Sequence, residues 1–284
     1  MRMELLWTQP GGWPMFVAYR LCLLAALLLP LAPANAAVNE RAVSLATKGG
    51  RLQGTFYTPS SQAPVSGILL LHTAGGLSEA DRIYARRLVD AGFAALVVSY
   101  RIGWAAPVNQ GLATAVDWLR KQPETRNRPV GVVGFSLGGS KALLVAALRP
   151  DAVKAVVSYY GTYNVQTSKF ADAVRQAQLR TGLGMPSPVQ EAAKIGGAVL
   201  LLQGGNDDET SPEQTREMTK ALDKAKKNYA LKIYPGAVHM FERDSKYHPP
   251  GGRTRFGTVT RFNQTAADES WKDSLAWFQK YLTQ

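Results

Sequence analysis

The chain has 284 residues, a net charge of +12, 46% hydrophobic residues and a single cysteine, Cys22. That length suits one sizeable α/β domain, and one cysteine excludes a disulfide scaffold and a cysteine-based zinc site. Lysines and arginines are scattered singly or in short groups such as Lys224, Lys226 and Lys227. With no nucleic-acid motif among them, they read as a solvated basic face and not as a nucleic-acid surface.

At the start, Arg20 precedes the apolar run Leu21 to Leu31, broken only by Pro30, and Ala34-Asn35-Ala36 follows. This is the pattern of a secretory leader with an A-x-A cleavage site, so residues 1–36 are expected to be a signal peptide, with Met15 a candidate true start. The apolar stretch is about half the length needed to span a bilayer, so no stable membrane insertion is expected once the leader is removed. Cleavage removes Cys22, Arg2, Arg20 and Glu4, leaving a net charge of +11 on a single domain over 37–284. The expected destination is the periplasm or the exterior.

Residues 41–47 and 52–58 alternate apolar and polar positions around Gly49-Gly50, which predicts an antiparallel hairpin at one edge of a sheet. Gly67 to His72 is a nearly continuous apolar run, as expected of a strand buried on both faces, and Thr73-Ala74-Gly75-Gly76 is a loop. A helix is expected from Ser78 to about Ala91, with Ile83, Leu88 and Val89 on one face, and then a buried strand from Phe93 to Ser99. A helix over 111–119, a strand over 130–134, a helix over 140–148 and a strand over 153–159 continue the alternation. Strands separated by helices imply a mostly parallel sheet with right-handed crossovers and helices on both faces.

Between Gly161 and Gly197 the regularity lapses into two helical pieces, 168–180 and 188–195, without a strand. This 161–197 segment reads as a lid over the active-site mouth. The sheet resumes over 198–203, a helix covers 212–227, and a last strand covers 229–234. Residues 242–262 carry Pro249-Pro250-Gly251-Gly252 and many charges, and read as an exposed excursion. A closing helix over 266–282 places Trp271, Leu275, Phe278 and Leu282 on its inner face.

Gly134-Phe135-Ser136-Leu137-Gly138-Gly139 follows a strand and opens a helix. A serine on so tight a turn is held in a strained conformation with its hydroxyl raised above the sheet, the pattern of a nucleophile elbow. A serine hydroxyl needs a base to take its proton and an acid to orient that base. Of the three histidines, His239 lies in the loop after the last strand, where a base reaches an elbow serine; His72 ends a strand and His248 reads as a surface residue. Gly204-Gly205-Asn206-Asp207-Asp208 follows another strand, which makes Asp207 the candidate acid and Asp208 its alternative. The backbone N–H of Leu137, and that of Ala74 or Thr73, are the candidate oxyanion donors. Arg101, Trp104, Tyr160 and Tyr163 are candidate substrate-pocket residues, against a competing reading as core packing or, for Arg101, a structural ion pair.

The chain resembles the dienelactone hydrolase family of the α/β-hydrolase superfamily. The resemblance is carried by the Gly134–Gly139 elbow, by Gly204 to Asp207 with Ser211-Pro212-Glu213-Gln214, by Tyr234-Pro235-Gly236-Ala237-Val238-His239-Met240-Phe241, and by Phe262-Asn263 through Trp271. It covers nearly the whole chain after the leader. It implies an α/β-hydrolase fold, a triad in the order Ser136, Asp207, His239, and hydrolysis of a small-molecule ester or lactone with no cofactor or metal. Members named for dienelactone carry cysteine where this chain has Ser136, which separates ester hydrolysis from that particular substrate. Competing readings are a prolyl-oligopeptidase-like peptidase and a non-catalytic binding protein that keeps a hydrolase shell.

Overall fold

The computed structural model describes residues 38–47, 50–60, 63–100 and 105–283, all within one unit running from Asn35 to Gln284. The leader, the proposed start at Met15, Cys22, Gly49, Arg101 and Trp104 lie outside the described residues. The strands are β1 (Val38–Thr47), β2 (Gly50–Pro59), β3 (Gly67–Leu71), β4 (Ala94–Ser99), β5 (Val130–Phe135), β6 (Val153–Tyr159), β7 (Ala198–Gly204) and β8 (Tyr229–Tyr234). The helices are α1 (Glu79–Asp90), α2 (Ala106–Leu119), α3 (Leu137–Leu148), α4 (Ala171–Thr181), α5 (Pro188–Glu191), α6 (Pro212–Lys224) and α7 (Gln264–Leu282).

The strands form one sheet in the order β1-β2-β4-β3-β5-β6-β7-β8. β1 and β2 pair antiparallel, β2 pairs antiparallel with β4, and every later neighbour is parallel. The expected edge hairpin is therefore present and joins an otherwise parallel sheet, an α/β-hydrolase fold. β3, β5 and β7 are buried along their whole length because helices cover both faces.

Alternation along each strand sends its residues to two separate cores. Leu69 and Leu71, Val130 and Val132, and Val199 and Leu201 face one way, where Leu112 and Val116 of α2, Ala142 and Val145 of α3, and Met218 and Leu222 of α6 meet them. Ile68 and Leu70, Val133 and Phe135, and Leu200 and Leu202 face the other way, against Tyr84 and Leu88 of α1 and Phe278 and Leu282 of α7. α3 lies between β5, β6 and the neighbouring helices, so its residues 137–147 are all buried and it carries no polar face.

Two expectations change. Ile83 is exposed: α1 turns Asp81, Tyr84, Ala85, Leu88 and Val89 inward, because the buried Asp81 has a cationic partner described below. The segment after β8 is not simply an exposed excursion. Phe241, Arg243, Thr258 and Thr260 within it are buried, and an isolated bridge between His239 and Thr260 draws its return against the histidine loop.

Candidate active site

β5 delivers Ser136 into a backbone conformation that few non-glycine residues adopt, φ 54° and ψ −117°. The turn is closed by the Ser136 N–H donating to the Tyr159 carbonyl at 3.0 Å, and by the Gly139 N–H donating to the Ser136 carbonyl at 2.8 Å. Glycine is required on either side by close approach. A Cβ on Gly134 would stand 2.0 Å from the carbonyl oxygen of Gly138, and one on Gly138 would stand 2.1 Å from that of Leu71. The strained serine is thus fixed by its neighbours rather than by its own preference.

The other two members arrive from loops at the same edge of the sheet. His239 Nε2 lies 3.1 Å from Ser136 Oγ, and His239 Nδ1 lies 2.7 Å from Asp207 Oδ2. Asp207 is pinned by its own turn: Oδ1 accepts the N–H groups of Glu209 and Thr210 at 2.9 and 3.1 Å, and Oδ2 accepts the Thr210 hydroxyl at 3.1 Å. Burial pushes the Asp207 carboxyl up, but the His239 charge and these hydrogen bonds outweigh it and hold it below the ordinary carboxylate range. Burial by itself lowers His239; the charges of Asp207, Glu209 and Glu242, with the Asp207 hydrogen bond, leave its imidazole above the ordinary value of 6.5. Asp208 is exposed and points to no such partner set, so of the two candidate carboxylates the one in contact is Asp207.

The loop after β3 forms a further wall. His72 stacks on Tyr100 with ring centroids 3.9 Å apart, its Nδ1–H donates to the Thr73 carbonyl at 2.7 Å, and its Nε2 accepts the Tyr100 N–H at 3.3 Å. Both ring nitrogens are used in shaping this loop, and burial keeps the imidazole below its ordinary value, in the neutral form these bonds require. Arg243, four residues after His239, ties this wall to the histidine loop. Its Nη2 lies 2.8 Å from Asp81 Oδ1, its Nη1 donates to Ser78 Oγ at 3.0 Å, and its Nε lies 3.0 Å from Glu242 Oε1.

A cavity of about 360 Å³ opens above the serine, lined by Thr73, Ala74, Ser136, Glu209, His239, Met240, His248 and the Thr254–Phe256 segment. Thr73 and Ala74 therefore line the same cavity as the elbow serine. Leu137, the first residue of α3, belongs to the helix turn whose N–H groups have no acceptor within the helix.

Two candidate pocket residues are corrected. Tyr160 is fully buried, packs its ring edge to face on His239 at 4.7 Å and gives its hydroxyl to Glu242. Tyr163 is fully buried, and its hydroxyl meets Ser158 Oγ at 2.9 Å and accepts the Gly161 N–H at 3.2 Å. Both support the site from behind, because the β6 end turns them into the protein. His248, expected at the surface, lines the cavity and donates from Nε2 to the Arg243 carbonyl at 2.8 Å.

Glu209 escaped sequence reasoning. It is 8% exposed, its Oε1 lies 3.7 Å from His239 Nε2, and its Oε2 accepts the Thr254 hydroxyl at 2.6 Å. The signal available was its position two residues past Asp207, in the turn that wraps that carboxylate. Among the described residues no group of three or more His, Cys, Asp or Glu side chains is arranged to hold a metal ion.

Comparison with known proteins converges on this architecture. A family model described as "Dienelactone hydrolase family" matches residues 98–282. The chain is 22% identical over 259 residues to "Probable 2-oxo-3-(5-oxofuran-2-ylidene)propanoate lactonase" of a Bradyrhizobium species, covering 84% of this chain and 94% of that protein. It is 27% identical over 234 residues to dipeptidyl aminopeptidase BIII of Pseudoxanthomonas mexicana, covering 70% of this chain but 33% of that protein. Its fold is similar to that of the carboxylesterase Cest-2923 from Lactobacillus plantarum WCFS1, with a TM-score of 0.70, 15% identity, and coverage of 85% of this chain and 97% of that one.

Proposed function

The chain belongs to the dienelactone hydrolase family and is a carboxylic ester hydrolase; on that premise we propose that it is a serine hydrolase whose triad is Ser136, His239 and Asp207. The observation that carries this reading is the line of contacts from Ser136 Oγ through the two nitrogens of His239 to Asp207 Oδ2, at 3.1 and 2.7 Å.

In the first half-reaction, Ser136 Oγ attacks the carbonyl carbon of an ester or lactone while His239 Nε2 takes the hydroxyl proton. Asp207 stabilises the imidazolium that forms and fixes the tautomer with its proton on Nδ1. The oxyanion is received by the N–H groups of Leu137 and of Ala74 or Thr73, aided by the positive end of α3. His239 then gives its proton to the departing alkoxide, leaving an acyl ester on Ser136. Water, deprotonated by the same nitrogen, attacks that ester, and the acid leaves as Ser136 regains its proton.

Turnover of a short-chain p-nitrophenyl ester, together with fluorophosphonate labelling located by mass spectrometry, tests the reading. Label on Ser136 and loss of turnover in Ser136→Ala support it, whereas turnover that survives in Ser136→Ala removes it. The likeness to an aminopeptidase favours a second reading, hydrolysis of an amide by the same three residues. A dipeptidyl p-nitroanilide cleaved faster than the matching ester would establish that alternative.

We further propose export to the periplasm or the exterior, on the strength of the leader pattern over residues 1–36. N-terminal sequencing of the protein from fractionated cells tests it: a chain beginning at Ala37 in the exported fraction is the expected result.

A further inference from the structure

The catalytic cavity ends at a turn, and a second, larger cavity begins on the far side of that turn. The Gly257 N–H donates to the Thr254 carbonyl and the Thr254 N–H to the Thr258 carbonyl, both at 2.9 Å, so residues 254–257 form a tight hairpin-like tip. Arg255 and Phe256 at the tip line both cavities. The base of the turn is tethered, by Thr254 to Glu209 and by Lys169 Nζ donating to Thr258 Oγ1 at 2.8 Å. The tip itself is 43% exposed at Phe256, whose ring meets Phe170 edge to face with centroids 4.8 Å apart.

The second cavity measures about 790 Å³ and runs from Phe256 between α4 and the start of α2 to β2, the strand next to the sheet edge. α4 explains why the space exists. Phe170, Val174, Ala177 and Thr181 recur at helical spacing, and all four line the cavity. Neither hydrophobic core contains a residue of α4, yet Val174 is 3% exposed. An 11-residue helix draws most of its stability from burying an apolar face, and on this one Val174 is buried while Ala177 and Thr181 border the groove. Leu52, Val108, Leu183 and Met185 add aliphatic lining, while Arg51, Gln53 and Ser99 make the end at β2 polar.

We propose that this groove is an acyl-chain site. A medium- to long-chain aliphatic acyl group, with its carbonyl carbon at Ser136, passes the Arg255–Phe256 tip and lies along the inner face of α4. The proposal rests on Ser136 as the nucleophile and adds the substrate class. Three observations select this occupant. The groove adjoins the catalytic cavity at the Arg255–Phe256 tip, whose two residues line both. Its volume of about 790 Å³, with lining that reaches from Phe256 to Leu52 of β2, leaves room for an extended aliphatic chain. It is also walled by α4, none of whose residues belongs to either hydrophobic core. The movement required is a swing of one exposed phenyl ring, held by a single ring contact and by the Arg255 guanidinium 4.7 Å above it.

The test is kcat/KM for p-nitrophenyl acetate, butyrate, octanoate and laurate, each below its critical micelle concentration, in the wild type, Ala177→Trp and Ser136→Ala. Transfer of methylenes from water at roughly 0.8 kcal/mol each corresponds to as much as about fourfold per methylene, so octanoate should exceed acetate by at least about tenfold. Ala177→Trp, which puts an indole into the groove, should lower octanoate and laurate by about tenfold or more and acetate by less than about twofold. Size-exclusion chromatography and thermal melting of Ala177→Trp confirm that it remains folded. A preference falling steadily from acetate onward overturns the proposal, as does an Ala177→Trp variant that lowers all four esters alike. A change of oligomeric state in Ala177→Trp without a change in chain-length preference also overturns it, and assigns the groove to contact between copies. Acetate turnover that persists in Ser136→Ala marks failure of the underlying serine mechanism instead. If Ala177→Trp does not fold, Val108→Phe on α2 puts the same question from the opposite wall.

Discussion

Glu209 Oε1 stands 3.7 Å from Nε2 of His239, the same nitrogen that contacts Ser136. This imidazole therefore has a carboxylate on each side, Asp207 at Nδ1 and Glu209 at Nε2, and both charges favour its protonated form. His239 must be neutral to take the Ser136 proton, so a raised value moves the acidic limb of activity to higher pH. Replacing Glu209 with Gln removes one of the raising charges, and the acidic limb of kcat/KM should then shift to lower pH. Above the limb, kcat should fall by no more than about tenfold, because base and nucleophile both remain. A pH profile of kcat/KM in wild type and Glu209→Gln measures this, and an unmoved limb would show that Glu209 does not sense the imidazole.

Asp207 and Asp208 are adjacent in sequence and opposite in environment, one buried against His239 and one exposed. Asp207→Asn should lower kcat by about 10³- to 10⁴-fold, through loss of the tautomer that points Nε2 at the serine. Asp208→Asn should change kcat less than about twofold. Steady-state kinetics of the two variants on one ester separate the roles, and equal losses would contradict the assignment.

The elbow glycines leave no room for a side chain. A methyl on Gly138 would meet the Leu71 carbonyl at 2.1 Å, and that carbonyl belongs to β3 and cannot retreat without breaking the sheet. Gly138→Ala should destabilise the fold by at least about 3 kcal/mol, or fail to accumulate in soluble form. Gly76→Ala makes a contrasting control, because the space around it is open and only its φ of +90° is unfavourable; it should cost about 1 kcal/mol. Urea unfolding of both variants is the measurement.

Arg243 and Asp81 join the histidine loop to the start of α1 through a buried pair at 2.8 Å. Asp81→Ala leaves the guanidinium buried with Glu242 as its remaining close anion, and should cost about 3 kcal/mol. Burial raises the Asp81 carboxyl, yet Arg243 and Ser78 hold it below its ordinary value of 3.8. A depressed folded value means the contribution is complete above the unfolded value and disappears as pH falls through the folded one. Wild-type stability should therefore drop below about pH 4 more steeply than that of Asp81→Ala, as read by chemical unfolding across that range.

The alternation of helix and strand, the glycine-bounded serine and the order of Ser136, Asp207 and His239 were legible from the sequence, because each depends on local chemistry. Apolar runs of five to seven residues read as doubly buried strands, and a serine between close-packed glycines reads as a strained turn. The sequence also narrowed the acid to two adjacent residues. Which of them meets the imidazole was decided by the turn that wraps Asp207, whose backbone donors appear only when the loop is folded. Tertiary packing alone also turned Tyr160 and Tyr163 into the core, brought Glu209 to the second nitrogen of His239, and folded the charged segment after β8 into a cavity wall. These features depend on contacts between residues dozens of positions apart. A charged or aromatic side chain on a loop has no periodicity from which its direction can be read; that direction is set by the partners that satisfy it once the chain is folded.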